Sequence, residues 1–308
     1  MHYARLIVTL QNKVFAMGIS NDNNFTLNAG DRLIDLSHPV VMGILNSTPD
    51  SFFSQSRMQA EHDIASRAND IMEQGAEIID IGAFSTRPGA SNVSTDEEMK
   101  RMRRALTIVR KQQPNATLSV DTFRPEVARM AVEEYGAGII NDISEGTGSM
   151  AIPTASTSYQ DMPSEMFITV AQLGVAYILT SVQPTMRQTL MQLSGKIQQL
   201  HGLGQKDIII DPGLGFGKTV EQNYDILREL PLLSALNKPL LIGLSRKSMI
   251  WKPLATTPDG ALNGTTALHM ASLLGGAHIL RAHDVKECVE TVKLYNLLQG
   301  NVQHASNP

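Results

Sequence analysis

The sequence predicts an α/β protein, a (β/α)8 TIM barrel with a short N-terminal β element that closes the barrel bottom. Three observations predict this fold: eight short apolar runs, helical patterns between them, and polar residues at the ends of the runs. The apolar runs lie at 40–45, 77–83, 117–122, 138–143, 176–181, 207–212, 239–245 and 277–284. They lack strict alternation, which is typical of parallel strands buried on both faces. A doubly wound open sheet is the alternative architecture, but such a sheet usually has fewer strands.

Helical patterns fill the gaps between these runs. Apolar residues recur at helical spacing over 64–72 and again over 99–109. Ser94 is predicted to cap the second of these helices, and Pro125 stands at a first-turn position where proline is tolerated. The last helical pattern contains Cys288, the only cysteine in the sequence. We predict that this cysteine is a small buried hydrophobic residue.

Length and composition limit the classes of protein that fit. The chain has 308 residues, of which 42% are hydrophobic and 18% charged, and a formal net charge of −4. This charge argues against general binding to nucleic acid or to an anionic membrane, and no apolar run reaches the roughly 18 residues of a membrane-spanning helix. One cysteine excludes an intramolecular disulfide and a multi-cysteine zinc site. We predict a cytoplasmic protein with a β element at 1–39, a barrel at 40–300, a tail at 301–308 and a flexible loop over 144–163.

Candidate site residues follow the predicted strands at their carboxyl ends, where barrel active sites form. They are Asn46, Asp121, Asn141, Asp211, Lys247, Arg281 and His283. Singly, each is typical of a polar group that caps the next helix, as we expect for Asp284. Together they predict a carboxylate–amide wall that faces a cationic wall, to which Arg246 also contributes. A flat heterocycle with amidine-like N–H groups suits the first wall, and a phosphate or pyrophosphate suits the second. Asp80, inside strand two, is predicted to be a satisfied core carboxylate.

The stretch DPGLGFGKT at 211–219 ends like a nucleotide-binding loop but does not fit one. The pattern G-x-x-x-x-G-K-[ST] requires a glycine five places before Gly217. That place is occupied by Pro212, which also lacks the N–H group that a phosphate would need. The sequence therefore argues against a nucleoside triphosphate site here and makes Asp211 the residue of interest.

Seven segments resemble, in order, the signature segments of dihydropteroate synthases. They are MGILNSTPDSF (42–52), GAEIIDIGAFSTRPGA (75–90), SVDT (119–122), IIND (139–142), IIIDPGLGFGKT (208–219), GLSRKSM (243–249) and ILRAHD (279–284). The resemblance implies condensation of 6-hydroxymethyl-7,8-dihydropterin pyrophosphate with 4-aminobenzoate to give 7,8-dihydropteroate and pyrophosphate. It also implies Mg²⁺ as the cofactor and a homodimer formed through the late barrel helices.

The same resemblance implies a role for each site residue. The implied pterin contacts are Asp121, Asn141, Asp211, Lys247 and Arg281. The implied 4-aminobenzoate contacts are Phe52, Thr86, Arg87, Pro88, Phe216, Lys218 and Ser248. Pyrophosphate is implied to bind Asn46, Arg87, Arg281 and His283, with Asn46 also the ligand on the magnesium side. The implied catalytic residues are Lys247, Arg281, His283 and Arg87.

Strand five departs from the family pattern. Thr180, Ser181 and Val182 stand where the family usually has a Met-His-Met segment. This change alters one wall near the implied pterin site and leaves three hypotheses. The first is an active dihydropteroate synthase, and the second is a degenerate paralogue that binds a pterin without turnover. The third is a pterin-binding methyltransferase barrel, which has no evident use for the TPDSF and STRPGA segments.

Overall fold

A barrel of eight parallel strands is the centre of the computed structural model, which describes residues 24–47, 54–83, 93–148 and 163–301. An antiparallel pair, β1 (Thr26–Ala29) and β2 (Arg32–Asp35), precedes it. The barrel strands are β3 (Val40–Asn46), β4 (Ile78–Gly82), β5 (Thr117–Asp121), β6 (Ile139–Asp142), β7 (Ala176–Thr180), β8 (Ile208–Asp211), β9 (Leu241–Ile242) and β10 (Ile279–Ala282).

The strands pair in the order β8-β7-β6-β5-β4-β3-β10-β9, and all seven pairings are parallel. A parallel bridge between Ile210 and Leu240 joins the two ends of this row and closes the barrel. The predicted barrel is therefore confirmed, and the open sheet is wrong. β9, the seventh strand of the barrel, is the shortest, with two residues. Its predicted run begins at Pro239, which has no N–H to donate, and ends in a turn where Arg246 has a φ of 58°.

Helices follow the barrel strands on the outside. They are α1 (Ser54–Glu73), α2 (Thr95–Gln112), α3 (Pro125–Tyr135), α4 (Glu165–Leu173), α5 (Met186–Gly202), α6 (Val220–Arg228), α7 (Ser248–Trp251), α8 (Leu262–Leu274) and α9 (Val285–Leu298). Short 3-10 turns cover Leu230–Leu236 and Asp259–Ala261. As predicted, Ser94 caps α2 by accepting from the Glu97 N–H at 3.3 Å, and Pro125 begins α3. Cys288 is buried in α9.

Side chains on the strands alternate between two apolar cores. Outward-facing residues pack under the helices, whereas inward-facing residues such as Met42, Ile78, Ile139 and Ile209 fill the lower barrel. The β1–β2 pair packs against this inner core with Leu27, Ala29 and Ile34, and Leu36, directly after β2, joins them. The predicted β element thus closes the barrel bottom and leaves the carboxyl ends of the strands for polar residues.

Two of the segments named from the sequence fall outside the described residues. These are the start of the N-terminal element (1–23) and nearly all of the tail (302–308). Most of the predicted loop at 144–163 does so as well. Among the residues that the structure describes, no helix combines the length and hydrophobicity that crossing a membrane requires.

Replacing Gly138 by alanine tests how tightly the β1–β2 pair seals the barrel. A Cβ at this position would lie 2.2 Å from the Ala29 carbonyl oxygen, so the backbone of one element must move. We expect Gly138→Ala to lower the free energy of unfolding by about 1–3 kcal/mol, as overpacking does. Urea denaturation measures this effect. Gly202→Ala is the control, because nothing lies within 4 Å of the added methyl; equal stability of both variants would contradict the close contact.

Candidate active site

Polar side chains replace apolar ones on the inward-facing rows as the strands approach their carboxyl ends. Along β4, inward-facing Ile78 is followed two residues later by Asp80 and then by Gly82. Strand register places Asn46, Gly82, Asp121 and Asn141 side by side on four successive strands. The structure therefore brings together site residues that lie up to 95 positions apart in the sequence.

Arg281 is the charged centre of this region. Its Nε donates to Asp80 Oδ2 at 2.6 Å, and its Nη2 donates to Asp121 Oδ2 at 2.9 Å. Fully buried Asp80 also accepts from Ser119 Oγ at 2.6 Å and from Asn141 Nδ2 at 3.2 Å. Asp80 is thus satisfied, as predicted, but it also orients Arg281 and Asn141. The sequence indicates that Asp80 is special only by placing a carboxylate inside an otherwise apolar strand.

Two carboxylates, half-buried Asp121 and buried Asp211, end β5 and β8. Burial raises the pKa of Asp121 to about 7, while the charge of Arg281 acts in the opposite direction. Burial also raises the pKa of Asp211, opposed first by Lys247 and by the Gly213 N–H that donates to Asp211 Oδ1 at 2.7 Å. Desolvated acceptors of this kind are stabilised by N–H donors of a ligand.

The glycine-rich loop after β8 accommodates Lys247. This side chain donates to the Leu214 carbonyl, and its Nζ lies 4.0 Å from the centre of the Phe216 ring. Gly215 has a φ of 85°, and a Cβ there would lie 2.4 Å from Lys247 Cδ. Burial lowers the pKa of Lys247 to about 7, against the opposing effect of Asp211. The loop therefore packs a lysine next to Asp211 and Phe216.

Lys218 joins the ends of β7 and β8. Its Nζ donates to the Ser181 carbonyl at 3.1 Å and to the Gly213 carbonyl at 2.9 Å. Burial lowers the pKa of Lys218 to about 8. Inside the strand, Thr180 pairs in register with Asp211, and its buried hydroxyl has no hydrogen-bond partner among the described residues. The departure from the family pattern at the end of β7, the fifth strand of the barrel, therefore lies directly beside the site.

Arg246 forms ion pairs with two carboxylates beyond the ends of the strands. The Arg246 guanidinium donates to Asp284 at 2.9 and 2.6 Å and to Asp259 at 3.1 Å. Asp284 occupies the N-cap position of α9, as expected, but it makes no side-chain cap there. Two carboxylates from neighbouring segments therefore pair with Arg246, and its contribution to the cationic wall stays a prediction.

His283 lies just beyond β10 at the rim. Its Nδ1 lies 3.2 Å from Ser245 Oγ, and its backbone N–H donates to the same oxygen at 3.2 Å. Burial, followed by the charges of Arg281 and Arg246, lowers the pKa of His283 to about 4. The imidazole is therefore neutral at pH 7 and offers one donor and one acceptor.

The remaining predicted site residues divide into two groups. Ser248 begins α7, immediately after Lys247, and Asn46 ends β3 with an exposed side chain. The other group lies outside the described residues and comprises Phe52, Thr86, Arg87 and Pro88.

Comparison with known proteins gives the family. The model of the family described as "pterin binding enzyme" matches residues 42–283. Dihydropteroate synthase of Escherichia coli is 37% identical over 290 residues, which cover 92% of this chain and 95% of that protein. The chain belongs to the dihydropteroate synthase family. Dihydropteroate synthase of Bacillus subtilis is another relative, 35% identical over 86% of this chain and 91% of its own.

Solved structures of the dihydropteroate synthase family agree with this membership. The Xanthomonas albilineans enzyme with 4-aminobenzoic acid is 32% identical, with a TM-score of 0.79 over 92% of this chain and 100% of that one. The Coxiella burnetii enzyme with pteroic acid is 32% identical, with a TM-score of 0.74 over 89% of this chain and 98% of that one. The protein is thus a transferase of folate synthesis with small-molecule substrates. The comparisons give no support to the degenerate paralogue.

Replacing Asp80 by asparagine tests whether the buried cluster depends on this carboxylate. The amide would turn a donor toward Ser119, Asn141 or Arg281, so we expect a loss of about 3–5 kcal/mol in the free energy of unfolding. Glu134→Gln is the control, because the Arg103–Glu134 pair lies at the surface, with side chains 44% and 46% exposed. That variant should leave stability essentially unchanged. Similar urea midpoints for the two variants would refute the dependence.

Proposed function

We propose that the protein condenses 6-hydroxymethyl-7,8-dihydropterin pyrophosphate with 4-aminobenzoate, releasing 7,8-dihydropteroate and pyrophosphate. The observation that carries this proposal is the buried polar cluster around Arg281, which combines acceptors for a flat heterocycle with fixed positive charge. Family membership supplies the reaction, and the cluster supplies the groups that the reaction needs. Two steps are required of it: binding the ring and stabilising the leaving group.

The pterin ring is proposed to bind the carboxylate–amide wall. Asp121, Asn141 and Asp211 would pair with the ring's N–H and nitrogen groups, which have complementary donors and acceptors. The raised pKa values of both carboxylates support this, because burial makes unpaired acceptors costly. Lys247 would contact the ring from the β9 side, and the planar Arg281 guanidinium would stack on its face.

The leaving pyrophosphate is proposed to be stabilised by fixed charge. Arg281 is held in place by two carboxylates, so its charge needs no reorganisation as the bond to pyrophosphate breaks. Neutral His283 would donate one hydrogen bond to a phosphate oxygen. Arg87 would add a second guanidinium, on the strength of the family resemblance alone. The aniline amine of 4-aminobenzoate is already a neutral nucleophile, so no general base is assigned.

Asn46 fits the proposed Mg²⁺ site. A Cβ added to Gly82 would lie 3.5 Å from Asn46 Oδ1 and 3.8 Å from Asp121 Oδ2, so these two oxygens border the same surface. Within the described residues, no three His, Cys, Asp or Glu side chains form a metal site. One amide oxygen with phosphate oxygens and water is a coordination that Mg²⁺ accepts. When bound, Mg²⁺ would neutralise charge on the departing pyrophosphate.

4-Aminobenzoate is proposed to bind beside the glycine-rich loop. Phe216 offers an aromatic face, Lys218 a cation for the carboxylate, and Ser248 a hydroxyl and the first N–H of α7. Phe52, Thr86, Arg87 and Pro88 would complete the pocket, again by resemblance. The contact of Lys247 with the Phe216 ring connects this pocket with the pterin wall.

Pyrophosphate release tests the proposed reaction. With Mg²⁺ and the pterin pyrophosphate, we expect release only when 4-aminobenzoate is added, together with dihydropteroate formation. Asp211→Ala should weaken pterin binding by about 2–4 kcal/mol in calorimetry, because ring N–H groups lose their buried acceptor. Tight pterin binding without release would favour the degenerate paralogue, and unchanged affinity of Asp211→Ala would overturn the ring placement.

We also propose a cytoplasmic homodimer that pairs through the last two helices. The support is an apolar surface there: Leu274 of α8 and Leu294, Leu297 and Leu298 of α9 are 46–67% exposed. Large exposed apolar groups are typical of interfaces. A cytoplasmic location would keep the free thiol of Cys288 reduced.

Sedimentation velocity tests the dimer. Leu297→Glu places a charge on the proposed contact surface and should shift the protein to the monomer. Leu33→Glu is the matched control, since Leu33 is 75% exposed on β2 and is not part of the proposed contact surface, so this change should leave the dimer intact. A wild-type protein that stays monomeric at all concentrations would reject the proposal.

A further inference from the structure

Glu145 is a buried acid that none of the proposed roles uses. It lies three residues beyond β6, its relative exposure is 1%, and its φ is 60°. A left-handed backbone is unusual for glutamate, and a buried carboxylate is costly unless it is fully paired. Both features indicate that the surrounding structure holds this residue in place.

The Glu145 carboxylate is surrounded by donors from two other segments. Oε1 accepts from the Val182 N–H at 2.6 Å and from Gln183 Nε2 at 3.4 Å. Oε2 accepts from Gln192 Nε2 and lies 3.5 Å from Lys196 Nζ. Lys196 also donates to the backbone carbonyl of Glu145. Since all of these neighbours donate, the site requires an acceptor at both oxygens.

A short series of hydrogen bonds leads from Glu145 to the proposed substrate pocket. Gln192, held by Glu145, accepts from Ser181 Oγ at 2.7 Å through its own Oε1. Ser181 in turn donates its N–H to the Asp211 carbonyl at 2.8 Å and accepts from Lys218 Nζ at 3.1 Å. A Cβ at Gly213 would lie 2.0 Å from the Ser181 carbonyl oxygen, so this carbonyl packs directly against a position that only glycine fits.

We propose that Glu145 is a positioning residue that holds the Ser181–Gln183 turn, so that the Ser181 carbonyl fixes Lys218 at the 4-aminobenzoate pocket. The inference rests on the proposed function only for the ligand that Lys218 meets. Of the three residues that differ from the family pattern, Ser181 is held by Gln192 through its hydroxyl, and Val182 is held by Glu145 through its backbone N–H.

Electrostatics acts in the same direction as the geometry. Lys218 is buried, which lowers its pKa, and the charges of Asp211 and Glu145 oppose that effect. Glu145 therefore helps to keep Lys218 in the charged form that would bind a carboxylate.

Glu145→Gln tests the positioning role. The glutamine side chain has the same shape, but its NH2 group would face the N–H donors that now bind the Glu145 carboxylate. We expect the KM for 4-aminobenzoate to rise about tenfold, with kcat and the KM for the pterin pyrophosphate changed less than about twofold. In a Lys218→Ala background the same change should add less than about twofold, because the residue through which Glu145 acts is gone. An equal rise in both backgrounds, or an equal effect on all three constants, would overturn the role.

A reciprocal exchange supplies the rescue. In Glu145→Gln/Gln192→Glu the donor and the acceptor trade places, and the carboxylate introduced at position 192 is four residues from Lys196, a spacing suited to an ion pair on a helix. We expect this double variant to return the KM for 4-aminobenzoate to within about threefold of wild type. A double variant as impaired as Glu145→Gln would count against the proposed contact. If Glu145→Gln does not fold, Ser181→Ala removes the Gln192 link and the weaker bond from the Gln183 N–H at 3.3 Å, both of which hold this turn, and should raise the same KM; an unchanged KM would refute the series.

A measurement without turnover separates this inference from the proposed function. The rate at which limiting acetic anhydride acetylates Lys218, relative to exposed Lys111, should rise in Glu145→Gln and fall back in the reciprocal exchange. A rise in a wild-type background that shows no aminobenzoate-dependent release would retain the positioning role and reject the function. Normal release with an unchanged acetylation rate would overturn the positioning role and leave the function.

Discussion

The ion pair between Asp80 and Arg281 in the middle of the barrel is the interaction on which the site depends. Removing two charges from water costs more than their attraction returns unless further hydrogen bonds complete both groups. Ser119 and Asn141 donate further hydrogen bonds to Asp80, and Asp121 accepts one from the guanidinium of Arg281. One buried positive charge therefore determines the orientation of several residues on three neighbouring strands. A negatively charged group that approached Arg281 would therefore meet a cation whose position is already fixed.

This arrangement is possible because the barrel is divided into two layers. The lower layer is apolar and is sealed by the β1–β2 pair, with Leu27 and Leu36 among its buried residues. The upper layer is polar and makes its own hydrogen bonds. Burial disfavours the charged form of the carboxylates in the upper layer, as their raised pKa values show. The hydrophobic stabilisation that the lower layer supplies offsets this cost.

The sequence predicted the fold and the grouping of site residues because both follow from local patterns. Strands buried on both faces appear as apolar runs, and parallel register brings their polar ends together, as for Asp121 and Asn141. Partner choice between distant side chains was not predictable. Arg246 binds Asp284, 38 residues away, and Glu145 binds Gln192, 47 residues away. These pairs depend on how loops and helices meet in space. The hydrophobic periodicity of the sequence carries no information about such contacts.

The closing seam of the barrel has a consequence for motion. Between β8 and β9 a single bridge, Ile210 to Leu240, replaces the longer ladders found elsewhere, and β9 has only two residues. Few backbone hydrogen bonds must break for this seam to open, so local breathing costs least there. Asp211 lies on one side of the seam and Lys247 on the other. A ligand that contacted both residues would bridge the seam and hold the two strands together.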